Sequence, residues 1–345
     1  MVAFEKIQHP IMIQKITAKI KNITWLRKLV RFAKTHTMPG FQGVPMFYVF
    51  NFMRQELGRH PLTMRANAIA FSFFLSLFPS LILLISLIPY LPFEKTKVIK
   101  EITIAIDELM PNNAGRMVTQ TIKDFLHEKR SDIISIGFGL AIYFSSNGVL
   151  ALMGGFEKSY PIFGKRSPLD KRIRAIILTF ALGGLMVTSM ILIILGNQLI
   201  HEGVNLWAKW TKLTMTKKAL ANSLLTLRWV VVILLLYMGS AFIYRFGIMM
   251  RRKLPFFSPG AVLATLLSML SSIGFSTYVD NFGNYNKLYG SIGTIIVLML
   301  WMQLNAMILV FGFELNASIA LNRQLQEERV ILKRTENEDD FEAVY

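Results

Sequence analysis

The chain has 345 residues, 53% of them hydrophobic and only 17% charged, with a mean hydropathy of +0.45; an ordinary soluble domain carries roughly 25% charged residues. Low charge together with 26 Phe and 19 Met excludes a disordered chain, and the absence of cysteine excludes disulfides, thiolate metal sites and a cysteine nucleophile. The net charge of +17 reads as membrane topology and contact with anionic lipid rather than nucleic-acid binding, because no RNA-binding module or interleaved basic and aromatic motif accompanies it.

In chain order, residues 1–64 form a basic N-terminal region. Ile13, Ile16, Ile20, Ile23, Leu26 and Val30 fall on one helical face, with Lys15, Lys19 and Lys28 off it. Such a helix lies in the membrane interface or packs on the cytoplasmic ends of the bundle; the spacing does not choose between them. Residues 65–321 form the membrane domain. A span needs about 20 mostly apolar residues, and six are expected, at about 66–92, 133–155, 174–200, 228–250, 258–279 and 290–321. Between the first two, residues 94–131 have helical apolar spacing interrupted by Pro111-Asn112-Asn113, which predicts an outer helical hairpin. Residues 322–345 are an acidic tail, expected to be disordered.

The expected fold is therefore an all-α integral membrane protein with six transmembrane helices in one bundle. With both termini in the cytoplasm, 25 of the 38 Lys and Arg lie on the inner side, the clearest anchor being loop 157–174 with six of them.

Polar residues inside the spans are the candidates for function. Pro79 follows Ser76 in the first span, removes a backbone hydrogen bond and predicts a kink with a freed Leu75 carbonyl. The second span carries Ser145-Ser146-Asn147, and the sixth carries Glu314 and Asn316. A carboxylate within a span is costly unless it faces water, an amide or an arginine, and Arg245 is one candidate partner. Ser76, Pro79, Asn147 and Glu314, each roughly 9–16 Å from the inner end of its helix at 1.5 Å per residue, make a candidate pocket; a static kink and a helix-end anchor explain them equally simply. Ser268, Ser272 and Ser276 have small-xxx-small spacing, which predicts a close-packing face. No hydrolase motif, phosphate loop or metal cluster is present, so no catalytic residue, metal or cofactor is expected.

Two stretches carry a resemblance. RANAIAFSFFLSLFP, from Arg65 to Pro79, resembles the opening span of the YihY/BrkB family of bacterial inner-membrane proteins, formerly named ribonuclease BN. Pro255–Ala317 is similar to the family's later part. It has Pro259-Gly260 at a helix start, and then Tyr278, Asn281, Phe282 and Tyr285 in an outer loop. The Tyr289-Gly290-Ser291 turn, Trp301 and the Gly312/Glu314/Asn316 ending follow. The second span and its loop depart from the family pattern: Glu157, Tyr160 and Lys165-Arg166 stand where it has an Asn before a Tyr and an Arg after it, so no role transfers there.

The resemblance implies a multi-pass protein of the inner membrane, linked by name to virulence and serum resistance, with transport or export of an envelope lipid or an amphipathic or anionic compound suspected. The alternative is a non-transporting scaffold or envelope-integrity factor, and ribonuclease activity is not expected. The expected partners are membrane lipids, with room for a homo-oligomer and none for nucleic acid.

Overall fold

The computed structural model describes residues 24–87, 139–158, 160, 162–164, 166–194, 217–250, 253–281 and 291–342. Ile13 to Ile23, the hairpin at 94–131 and the loop residues Tyr285, Tyr289 and Gly290 lie outside the described residues. The elements are α1 (Thr24–Thr35), α2 (Met46–Arg59), α3 (Leu62–Leu87), α4 (Asn147–Gly155), α5 (Pro168–Ile194), α6 (Lys217–Phe242) with a π-helical end Ile243–Gly247, α7 (Pro259–Asn281) and α8 (Ser291–Glu342). Among the described residues strand pairing is limited to two isolated bridges, Thr37 with Pro45 and Phe163 with Met250.

The described chain divides into two compact units, one taking the residues up to His60 and from Glu314 onward, the other Pro61–Phe313. In the first, α1 and α2 pack together across a tight turn at Gly40, Gln42 and Gly43, whose φ values are 83°, 52° and 85°. Phe41, Val44, Val49, Phe52 and Met53 are buried there, and Arg323 of α8 donates to Gln42 Oε1 at 2.8 Å. The acidic tail is not disordered: α8 continues to Glu342. Its composition explains this, since Glu, Gln, Leu and Arg are strong helix formers, and Arg323–Glu327 and Gln324–Glu328 bond one turn apart.

The larger unit holds five stretches long and apolar enough to cross a membrane: Leu62–Ser80, Pro168–Ser189, Trp229–Gly247, Pro259–Thr277 and Ile295–Ile331, the last running on into the first unit. Of the second expected span, 133–155, residues 139–155 are described; they form an apolar helix, Gly139–Gly155, with a turn residue at Ser146. Two helices also begin earlier than their apolar runs. Lys217–Thr226 is helical because Ala, Leu and Lys favour it. In α5, Ser167 and Pro168 supply an N-cap and first helical residue, with the Asp170 amide donating to Ser167 Oγ at 3.2 Å.

Large apolar side chains such as Phe71, Phe78, Ile177, Met186, Leu234 and Leu270 point outward, while Ala66, Ala70, Ala175, Ala241, Ala261 and Ala264 are buried. Bilayer hydrocarbon solvates large apolar groups as well as a protein interior does, so helices associate through small residues that let backbones approach. The expected serine face of α7 is not one of these contacts: Ser268 is half-buried and Ser272 and Ser276 are exposed. Its packing face is Ala261, Ala264 and Thr265, with Thr265 Oγ1 3.0 Å from Ser240 Oγ of α6.

Candidate functional site

The second membrane helix carries a single turn residue, Ser146, where two consecutive serines bond backbone carbonyls of their own helix. Ser145 Oγ donates to the Ile142 carbonyl at 3.1 Å and Ser146 Oγ to the Tyr143 carbonyl at 2.8 Å. Ser146 is a turn residue with φ −74° and ψ −8°, and helical bonding runs through it: its amide donates to the Ile142 carbonyl at 3.2 Å and the Leu150 amide to its own carbonyl at 2.9 Å.

Arg172 of α5 packs against this turn. Its Nη1 donates to Asn147 Oδ1 at 2.8 Å, Ser146 Oγ at 3.1 Å and the Tyr143 carbonyl at 3.2 Å, and its guanidinium lies 4.0 Å from the Tyr143 ring centre. Nη2 and Nε have no hydrogen-bond partner, and no carboxylate pairs with Arg172, among the described residues. In the sequence this residue signals only topology, because 157–174 counts as a basic loop. The Ser167-Pro168 cap turns Lys171, Arg172 and Arg174 into helix residues.

Ser76 reaches the same place from α3. A Cβ on Gly148 would lie 2.7 Å from Ser76 Oγ and 2.7 Å from a Phe73 ring carbon, so glycine is what allows α3 and α4 to touch beside Asn147. Two helical turns further along α4, Gly155 meets Ile69, and its carbonyl accepts from Arg65 Nη1 at 3.2 Å. Pro79 lies inside α3, which continues past it to Leu87, and Ser80 Oγ donates to the Ser76 carbonyl at 2.6 Å. Glu314 belongs to the other unit, where it is fully buried on α8 with Asn316 and Ser318. Glu56 of α2 is a second buried acid of that unit, 3.7 Å from Arg59, and sequence reasoning missed it because α2 precedes every span. Arg245 donates to the Leu254 carbonyl at 2.8 Å and lies over Phe256.

A second arginine secures the neighbouring turn. Arg166 donates to the carbonyls of Phe246, Gly247 and Ile248 at 3.3, 3.0 and 3.1 Å, satisfying the C-terminal end of α6 where its π-helical turn leaves carbonyls without helical partners. Burial lowers its pKa, Arg174 adds to that, and Asp170 and Glu157 oppose it; the guanidinium stays charged throughout the physiological range. The Gly164 amide donates to the Met249 carbonyl at 3.1 Å, so the two connecting loops are joined.

Two of the motif residues that carry the resemblance, Pro259 and Gly312, serve a helix start and close packing. Ser258 caps α7 and Pro259 is its first residue. A Cβ on Gly312 would meet Gly260 O at 2.6 Å and Tyr244 Oη at 2.5 Å, so the absence of a side chain at Gly312 lets α8 approach the start of α7. Tyr244 donates to the Leu309 carbonyl at 2.7 Å, and Phe156 stacks on Phe313 at 4.7 Å. Tyr278 and Asn281 lie in the last turn of α7 rather than in the loop, and the Trp301 carbonyl accepts from Asn305 at 2.9 Å. No group of three metal-ligating side chains occurs among the described residues.

Long apolar helices joined through small residues define a multi-pass helical membrane protein. The chain belongs to the family described as virulence factor BrkB, whose model matches residues 53–339. It is 29% identical over 281 residues to the putative ribonuclease-like protein YfkH of Bacillus subtilis, covering 81% of this chain and 98% of that one. UPF0761 membrane proteins of Photobacterium profundum and Aliivibrio salmonicida are 22% and 23% identical, each covering 80% of this chain and 82% and 84% of their own lengths. No solved structure matches. The protein is thus a multi-pass protein of the bacterial inner membrane, in a family not known as one of enzymes.

Proposed function

We propose that the protein is a transporter or exporter of an anionic amphipathic compound, an envelope lipid being the class that fits best. The observation that carries this reading is Arg172: a cation near the start of a membrane helix, beside the polar turn at Ser146, with no carboxylate partner and no hydrogen-bond partner at Nη2 and Nε among the described residues. A cation at the end of a span reaches the interface, where anionic headgroups lie. Arginine matches a phosphate or carboxylate headgroup in geometry as well as charge.

A scaffold is the competing reading, favoured by the close glycine and alanine packing, which does not need a substrate. Ribonuclease activity belongs to the name of one relative and has no acidic cluster to support it among the described residues. The test is reconstitution into liposomes with fluorescent phosphatidylglycerol or phosphatidylcholine as cargo. Movement of the anionic lipid should fall at least tenfold in Arg172→Gln and less in Arg172→Lys, at unchanged insertion. Wild-type protein that moves neither lipid, nor a panel of small organic anions, sinks the transporter and leaves the scaffold.

The same proposal places both termini in the cytoplasm and completes the second span with residues 133–138. With no native cysteine, Ser167→Cys should resist an impermeant thiol reagent in intact cells; labelling there would reverse the orientation.

A further inference from the structure

The helix α1 has an apolar face that its own unit leaves partly open. Val30 and Ala33 are half-buried, whereas Leu29 and Phe32 are 55% and 51% exposed. At 100° per residue Leu29 and Phe32 lie about 60° apart on one side, and Lys28 follows about 40° beyond Phe32. Lys28 and Arg31 are both exposed. The apolar strip continues beyond the helix: the His36 ring stacks on Phe32 at 3.8 Å, and Met38 is exposed.

We infer that α1 lies on an anionic bilayer surface, with Leu29 and Phe32 entering the acyl boundary and Lys28 and Arg31 reaching the headgroups. Three features favour lipid over protein. First, α1 has no acidic residue, so a second copy meeting the same face across a twofold axis would bring cations against cations. Second, Lys28 at the margin of an exposed apolar strip, with Arg31 farther round at about 100° from Phe32, is the arrangement that interfacial helices use, the long stems lying along the helix and the charges in the headgroup layer. Third, α2 ends at Arg59 and the first membrane-spanning stretch begins at Leu62, so the chain passes from this unit into the bilayer within three residues.

This inference does not depend on the transport proposal, and its test reads a different quantity. Nitroxides are placed singly by Leu29→Cys, Phe32→Cys, Lys28→Cys and Arg31→Cys in the full chain, reconstituted in nanodiscs of phosphatidylcholine alone or mixed with phosphatidylglycerol. With the anionic lipid, positions 29 and 32 should become accessible to oxygen and protected from a water-soluble nickel chelate. Positions 28 and 31 should stay accessible to the chelate, and high salt or the double variant Lys28→Glu/Arg31→Glu should reverse the immersion. Chelate access at 29 and 32 in both lipids overturns the inference. So does shielding from both reagents, which would mean protein covers the face, and so does equal immersion in pure phosphatidylcholine.

Discussion

Two corners of the larger unit join their helices by opposite means. Where α6, α7 and α8 meet, Gly312 comes against the Gly260 carbonyl, Tyr244 ties α6 to the Leu309 carbonyl, and stacked Phe156 and Phe313 pack alongside. Where α3, α4 and α5 meet, Gly148 and Gly155 also allow close approach, but what they meet are side chains, and the centre is Arg172 beside the turn at Ser146. The first arrangement sets a glycine against backbone and is the more rigid. The second is made by side chains and is the more adaptable. Under the transport proposal, the adaptable corner is where an anionic headgroup is met.

The largest expected effect tests rigidity. Gly312→Ala puts a methyl against a backbone carbonyl that cannot rotate away, and should cost about 3 kcal/mol, read as a lowered thermal midpoint and aggregation in detergent chromatography. Gly148→Ala meets only the Phe73 ring and Ser76 Oγ, and should cost about 1 kcal/mol. Gly274→Ala, with nothing within 4 Å of the added carbon, is the neutral control. Equal losses at 312 and 148 would mean that the two corners are alike.

A smaller loss is expected from Arg166. Arg166→Leu removes three donated hydrogen bonds from the end of α6 and leaves the Phe246, Gly247 and Ile248 carbonyls to find other partners, at about 2 kcal/mol. Arg166→Lys should recover only part of it, because one ammonium cannot match the fork of a guanidinium across three carbonyls. If Lys restores the thermal midpoint completely, charge near the helix end matters and the geometry does not.

The comparison also explains what is legible in the sequence. Five spans can be read, because runs of apolar residues longer than the hydrocarbon thickness admit few other solutions. Gly260 and Gly312 stand out as motif residues, although their meeting is a tertiary fact that no spacing reveals. Arg172 is hidden for a physical reason: lysines and arginines at span ends serve topology so generally that one with a second task looks like the rest. The turn at Ser146 is visible only as three polar residues, since serines and threonines within spans commonly bond back to their own helix without a turn, as Ser72 and Thr179 do. The helical tail escapes a reading that weighs acidity above the i,i+4 partners that accompany it.

The smallest effect separates two caps of the same type. Ser258-Pro259 and Ser167-Pro168 both begin membrane helices, each serine oxygen accepting the amide three residues on, from Ala261 at 3.3 Å and Asp170 at 3.2 Å. Ser258 is buried and serves the rigid corner, whereas Ser167 is exposed and begins the helix that carries Arg172. Water can replace the lost acceptor at an exposed cap but not at a buried one, so Ser258→Ala should cost about 1 kcal/mol and Ser167→Ala about 0.5 kcal/mol. Glycine at either position should lose only a few tenths, which distinguishes a capping loss from lost packing. If Ser167→Ala lowers transport while leaving the thermal midpoint in place, the start of α5 matters through where it sets Arg172; if it lowers the midpoint more than Ser258→Ala does, the assignment of rigid and adaptable corners is reversed.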